Sequence, residues 1–445
     1  MAVEYRALTE EPVAVRFRAM ESILSSSEAA IEAERCYFCF DAPCTRACPA
    51  EIDIPAFIRA LAVGQPARAT SIILRENPLG MSCARVCPVE TLCEAVCVRG
   101  PEAGGAVRIG QLQREAMEAA KAVVAAQVVD STVRRVAMLG AGPAGMTLAY
   151  LLAEEGVRVD LFDAAPRPGG LNETGIAAYK MLDDAAQTEA QRVLASPHIR
   201  FVGESPLGTL LSLSILRQQY DAVALAVGLA AQRRLEVPGE SLPGVQAAVP
   251  FIAAMRRGER LPVGQSVVVI GGGMTAIDIA IQIRLLGAES VHICYRRGVE
   301  DMGASAHERQ LARDQGVHIH PGLRPVEIRQ GAEGRLELRL QRVHRQAGQW
   351  EAMGAPECWT VDQIFTAIGQ TLDREPWSQD PLLMDLALDT QGKIAVDDTG
   401  RTNLPGVWAA GDCAGRSPDL TVHAVADAKR VARAMLAFWK AQEAS

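Results

Sequence analysis

The chain has 445 residues, is 49% apolar and has a formal net charge of −8; this is too long for one core and ordinary for a globular protein, so several domains are expected. The acidic balance excludes the basic footprint of a nucleic-acid binder or of a protein held on an anionic membrane. No run of about 18 apolar residues occurs, and the N-terminal MAVEYRALTEEP lacks the basic and apolar regions of a secretory leader. A cytoplasmic location with no nucleic-acid or membrane partner is therefore expected.

Eight of the eleven cysteines lie between Cys36 and Cys97. The first group is Cys36-x2-Cys39-x4-Cys44-x3-Cys48-Pro49, and the second is Cys83-x3-Cys87-Pro88-x5-Cys93-x3-Cys97. In a reducing compartment such clustering argues for metal chemistry over disulfides. Dense thiols ending in Cys-Pro favour iron–sulfur over the paired knuckles of a zinc site, although the spacing is not that of a ferredoxin run. Zinc and unligated structural thiols are the alternatives, and eight thiols suggest two clusters. IPAFIRALAVGQPARATSIILRE has helical periodicity with a break near Gly64 and Pro66, and RIGQLQREAMEAAKAVVAAQ is a further helical stretch. Residues 1–130 read as a small helical domain around its clusters.

From 133 the pattern becomes strand, glycine turn, helix and second strand in VRRVAMLGAGPAGMTLAYLLAEEGVRVDLFDAA. Gly140, Gly142 and Gly145 stand where a dinucleotide fold needs a tight turn, a bare backbone facing a pyrophosphate, and close helix–strand packing. Asp163, ending the second strand, is placed to accept hydrogen bonds from ribose hydroxyls. A second such unit, QSVVVIGGGMTAIDIAIQIRLLGAESVHICYRRG, has Gly271, Gly272 and Gly273 in the turn, and its next strand ends in Arg296 and Arg297. Two guanidinium groups there suit a 2′-phosphate and favour NADPH, unless they form a surface pair without a ligand. His318 and His320, alternating along a probable strand, have a structural or surface role in preference to metal binding. The late stretch GVWAAGDCAGRSPDLTVHAVADAKRVARAML gives a strand, Gly411-Asp412 and a helix.

Together these motifs resemble the flavoprotein reductases with two dinucleotide-binding domains, over about 131–445. The resemblance implies α/β folds: a helical N-terminal iron–sulfur domain (1–130), a discontinuous FAD domain (131–233 and 368–445) and an inserted NAD(P) domain (234–367). It implies FAD contacts from Pro143 and Ala144 beside the glycines, from Gly169, Gly170 and Leu171 in DAAPRPGGL, and from Gly411, Asp412 and Thr421. It also implies nicotinamide-side contacts from Met274, Thr275, Ala367 and Gly369. ALAVG (224–228) and FTAIG (365–369) match the family's two A/T-x-G strands.

With the cysteine domain added, the chain resembles the electron-input part shared by dihydropyrimidine dehydrogenases and glutamate synthase small subunits. By that resemblance Cys36, Cys39, Cys44 and Cys97 hold one [4Fe-4S] cluster. Cys48, Cys87 and Cys93, with Gln113 of VRIGQLQRE, hold the other, and Cys83 is left over. Gln113 favours the pyrimidine class, because glutamate synthase small subunits tend to have a glutamate there; the alternative is a solvent-facing glutamine. Lys180 replaces an arginine found near the flavin in mammalian pyrimidine enzymes, and Met274 replaces a common acid. The implied activity passes a hydride from NAD(P)H to FAD and then single electrons through two clusters to an FMN/iron–sulfur partner subunit that reduces uracil or thymine. A glutamate synthase small subunit and a non-catalytic electron carrier are the rival readings.

Overall fold

The computed structural model describes residues 17, 23–119, 134–346, 348–415 and 418–443. The expected helical continuation over 120–127 and the expected domain junction at 130/131 lie outside the described residues. Chain contacts group 23–119, 134–173, 183–231 and the described residues from 371 onwards into one unit, and 174–182 with 232–370 and Phe17 into another.

The larger unit begins with short helices whose ends are set locally. Ser25 and Glu28 form a reciprocal capping box on Ser26–Glu34, and the Asp53 carboxylate accepts from Ala56 N at the start of Ile54–Ala62. That helix ends before Gly64, which has φ +70°, and the next, Pro66–Glu76, opens on its proline, so the expected break is present. Phe57, Ile58, Ile73, Leu112 and Met117 interlock these helices with Ile109–Ala119 and are almost fully buried. Each such side chain contributes about 1.5–3 kcal/mol of burial free energy.

The same unit contains a five-stranded parallel sheet in the order Val407–Ala409, Ala222–Leu225, Arg135–Leu139, Arg158–Phe162, Ile199–Val202. Its strands read as near-continuous apolar runs because helices cover the sheet. Pro143–Glu154 packs against the C-terminal helix Thr421–Glu443.

The smaller unit repeats this plan. Its parallel sheet runs Val245–Ala247, Gln363–Ala367, Ser266–Gly271, Ser290–Tyr295, Val317–Pro321, so in both sheets the glycine-turn strand is central. An antiparallel layer of Leu323–Gln330, Leu336–Gln346 and Glu357–Val361 adds a second core through Leu323, Ile328, Leu338 and Val361. Residues 174–182 lie by sequence within the span assigned to the FAD domain, yet they group with this unit. Ala178 N donates to Gln282 Oε1 at 2.9 Å, and Tyr179 Oη donates to Asp278 Oδ1 at 3.0 Å. These bonds, one buried and one part-buried, hold the segment there.

Candidate dinucleotide and iron–sulfur sites

In the larger unit the first glycine turn is shaped by backbone crowding. Gly140 has φ +105°, and a Cβ there would lie 2.2 Å from the Ala226 carbonyl oxygen; one on Gly145 would lie 1.8 Å from the Gly140 oxygen. No side chain fits either place. Gly142 caps Pro143–Glu154, so the helix's unpaired N–H groups and positive dipole end face the turn. The PGG segment closes on it: Gly169 N donates to Ala141 O at 2.8 Å, and a Cβ on Gly170 would lie 2.7 Å from the Gly142 Cα. A Cβ on Gly411 would lie 2.7 Å from the Ala144 Cβ, and Thr421 Oγ1 donates to Asn172 Oδ1 at 2.7 Å. Gly140, Gly142, Pro143, Ala144, Gly145, Gly169, Gly170, Leu171, Gly411, Asp412 and Thr421, far apart in sequence, are thus brought to one place.

Two acids there are electrostatically loaded. Asp163 accepts from Ala141 N at 2.6 Å and Ala165 N at 2.7 Å, and burial still pushes its carboxyl above the usual value. Burial, with Asp419 and Asp427 nearby, pushes Asp412 up to about 7 against the pull of Lys393. The Asn172 amide Nδ2 is buried with no hydrogen-bond partner, a donor that a ligand could satisfy. Bare glycine backbone, a helix N-terminus and an orphaned donor together fit a dinucleotide such as FAD.

The second turn solves the same steric problem. A Cβ on Gly271 would lie 2.3 Å from the Ala367 oxygen, so the alanine of FTAIG crowds its glycine as the alanine of ALAVG crowds Gly140. A Cβ on Gly272 would lie 2.4 Å from the Tyr295 ring, and Gly273 caps Met274–Leu285. Met274 and Thr275 open that helix half-buried, Gly369 is exposed two residues beyond Ala367, and Arg296 and Arg297 are exposed at the end of Ser290–Tyr295. These residues fit a second nucleotide.

Among the cysteines, Cys36, Cys39, Cys44 and Cys97 line one cavity with Tyr37, Ile54, Ile58, Val107 and Ile109 among its walls. Burial, with neighbouring thiols, raises the Cys36 thiol and pushes Cys44 up to about 11. The Cys87 thiol is raised well above its usual value by its hydrogen bond with Cys83 and by burial, with Cys93 and Cys48 adding to the shift. Cys93 is raised by burial, with Glu94, Cys48 and Cys44 nearby. Cys48, Cys83, Cys87 and Cys93 are thus neighbours, with Cys93 also near Cys44 of the first group. Gln113 is buried, and its Nε2 donates to Gly80 O at 2.8 Å, at the head of the helix Gly80–Val86 that bears Cys83. Among the described residues no three His, Cys, Asp or Glu side chains are placed to hold a single metal ion. Soft sulfur donors in apolar walls fit an iron–sulfur group.

Residues 134–428 match the pyridine nucleotide-disulphide oxidoreductase family, and residues 14–124 match the family described as dihydropyrimidine dehydrogenase domain II, 4Fe-4S cluster. The chain belongs to the pyridine nucleotide-disulphide oxidoreductases. It is an NAD(P)H-dependent electron-transfer oxidoreductase with FAD-type and 4Fe-4S domains. It is 33% identical over 444 residues to the Escherichia coli (strain K12) oxidoreductase UacF, covering 94% of this chain and 68% of that one. The glutamate synthase [NADPH] small chain of the same organism is 31% identical over 435 residues, covering 92% and 91%. The NAD-dependent dihydropyrimidine dehydrogenase subunit PreT of that organism is 30% identical over 408 residues, covering 91% and 92%. The fold resembles that of Mycobacterium tuberculosis FprA in complex with NADPH, with TM-score 0.60 and 21% identity over 70% of this chain and 86% of that one. Among the described residues of this oxidoreductase, no helix is long and apolar enough to cross a membrane.

Lys180 groups with the smaller unit and is paired with Asp278 at 2.8 Å and Glu308 at 2.6 Å. Burial works against its charge, but the two carboxylates hold its pKa above the usual value. His318 and His320 stand beside His292, whose Nδ1 is 2.9 Å from His320 Nε2, with Trp359 edge-on. Burial and the two other imidazoles lower His292 to about 4. Asn172, Cys83 as a neighbour of Cys87, Glu189 and Lys429 were not singled out by motif. Asn172 next to GGL was the one with a sequence cue.

Proposed function

We propose that this oxidoreductase is the electron-input subunit of a two-part enzyme, taking a hydride from NAD(P)H onto FAD and delivering single electrons through two [4Fe-4S] clusters to an FMN-containing partner that reduces uracil or thymine. The observation that carries this reading is the coexistence, in one chain, of two glycine turns of the same construction and two separate thiol groups. FAD supplies the conversion of a two-electron hydride into single electrons. The protein's own part is positioning: Gly142 and the helix behind it present N–H groups to a pyrophosphate, and Gly169–Gly170 and Gly411 close the cradle. Cys36, Cys39, Cys44 and Cys97 would hold one cluster, and Cys48, Cys87, Cys93 and Gln113 the other. Gln113 favours the pyrimidine class over the glutamate synthase class, to which the chain is similar over 92% of its length against 91%. The exposed Arg296 and Arg297 favour NADPH by offering two guanidinium groups to a 2′-phosphate.

The test is to purify the native protein with its stoichiometric partner and to assay it alone and together. Alone it is expected to oxidise NADPH faster than NADH with ferricyanide and to leave uracil untouched; with an FMN-bearing partner uracil is reduced. Alanine at both arginines should narrow the nucleotide preference. Uracil reduction by the chain alone, or a large amidotransferase as the co-purifying chain, overturns the pyrimidine reading.

A further inference from the structure

Two buried charges of opposite sign reach from the dinucleotide fold of the larger unit into the backbone around the second thiol group. Lys429, on the C-terminal helix Thr421–Glu443, is 6% exposed. Its Nζ donates to the Ala50 carbonyl at 2.6 Å and pairs with Glu76 Oε2 at 2.7 Å. Ala50 is two residues past Cys48, in a turn closed by Glu51 N donating to Cys48 O at 2.9 Å. Glu51 sits at φ +61°, a left-handed conformation that costs a non-glycine residue on the order of 1 kcal/mol and persists only where its surroundings impose it.

Glu189, on the helix Ala185–Leu194, is 1% exposed. One carboxylate oxygen accepts from Met81 N at 2.5 Å and Ser82 N at 3.0 Å, and the other accepts from the Ser82 hydroxyl. It thereby satisfies the open first turn of Gly80–Val86, which lacks a side-chain cap of its own. That helix bears Cys83, is followed directly by Cys87, and gives Gln113 its Gly80 carbonyl. The first thiol cavity, by contrast, is lined among the described residues by positions between 36 and 109.

Burying a lysine and a glutamate is a poor way to gain stability, since apolar replacements of such groups are often neutral or better. What the two share is their target. We propose that Glu189 and Lys429 are positioning residues for the second thiol group, fixing the Cys48 turn and the Cys83–Cys87 helix against the flavin-type fold and biasing that cluster's charge balance in opposite directions. This rests on the iron–sulfur reading above.

The experiment compares the full-length holoprotein with its Lys429→Met, Lys429→Arg and Glu189→Gln variants at pH 8.5. It measures iron, acid-labile sulfide and FAD, EPR-monitored cluster reduction, and hydrogen exchange over 48–52 and 80–87. The second cluster's signal is the one lost in Cys87→Ser. Losing the buried cation should make that cluster harder to reduce and losing the anion easier, each by roughly tenfold in a one-electron equilibrium, about 59 mV. The first cluster's signal should stay in place and Lys429→Arg should restore the wild-type value. Selective loss of the second cluster's iron, with exchange at either segment rising about tenfold, also supports the proposal. Shifts of the same sign in both variants, equal shifts of both clusters, or no shift with both signals present overturn it. A wild-type protein with no acid-labile sulfide overturns the iron–sulfur reading itself, and the proposal with it.

Discussion

Around Cys36, Cys39, Cys44 and Cys97 the walls, among the described residues, come from residues between 36 and 109, whereas the backbone around Cys48, Cys83, Cys87 and Cys93 is tied to Glu189 and Lys429, 107 and 379 residues from their partners Ser82 and Ala50. The first group is walled by its own short helices and loops, whereas the backbone around the second is also hydrogen-bonded by side chains of the dinucleotide fold.

The largest effect expected from this contrast is selective loss of one cluster. Cys97→Ser should remove the first cluster and Cys87→Ser the second, each with about half the iron. Neither should disturb FAD content or dye reduction by NAD(P)H. Iron analysis with EPR checks this, and loss of the same signal in both variants would show that the groups follow sequence order instead of the interleaved arrangement. The converse comparison uses the fold: a fragment ending at 130 should retain the first cluster's spectrum far better than the second's.

A smaller effect separates the proposed role of Gln113 from that of Cys83, the thiol left over in the proposed ligand set. Gln113→Ala should alter the second cluster's EPR spectrum and lower its iron occupancy at limiting iron, roughly tenfold. Cys83→Ala should leave both clusters in place and cost about 1 kcal/mol of packing at a buried site. The reverse pattern would make Cys83 the ligand and Gln113 a structural amide.

A further effect is a pH dependence at the second group. Burial pushes the Glu189 carboxyl up to about 7, against the hydrogen bonds from Ser82 and Met81 and the nearby Arg192. The folded state therefore holds that proton more tightly than the unfolded one, so this group's contribution to stability falls as pH rises from about 4.5 to about 7 and is flat above. Urea unfolding at pH 5 and pH 8 should show the wild type losing on the order of 2 kcal/mol relative to Glu189→Gln. Hydrogen exchange should place the change at 80–87 and not at 54–62.

Much of the site was legible because its rules are local. Strand, glycine turn and helix are read from neighbouring residues, and the steric demand behind Gly140 or Gly271 leaves one residue type possible wherever the fold occurs. The break at Gly64 and Pro66 was readable for the same reason. The placement of residues 174–182 was not, because it is made by Asp278 and Gln282, about 100 residues further on. Lys180, singled out from its place in a motif, is paired with Asp278 and Glu308, carboxylates that sequence order does not bring near it.

The sequence by itself determined that this chain builds two dinucleotide folds and gathers eight thiols, since glycine conformation, hydrophobic periodicity and cysteine spacing act over a few residues. Only the tertiary structure decided that Cys36, Cys39, Cys44 and Cys97 line one cavity, that Cys83 stands beside Cys87, and that a buried lysine and a buried glutamate from distant helices hydrogen-bond the backbone near Cys48 and Cys83. Those outcomes depend on desolvation and charge pairing between groups that meet only when the core closes, and such energies leave no periodic mark on the chain.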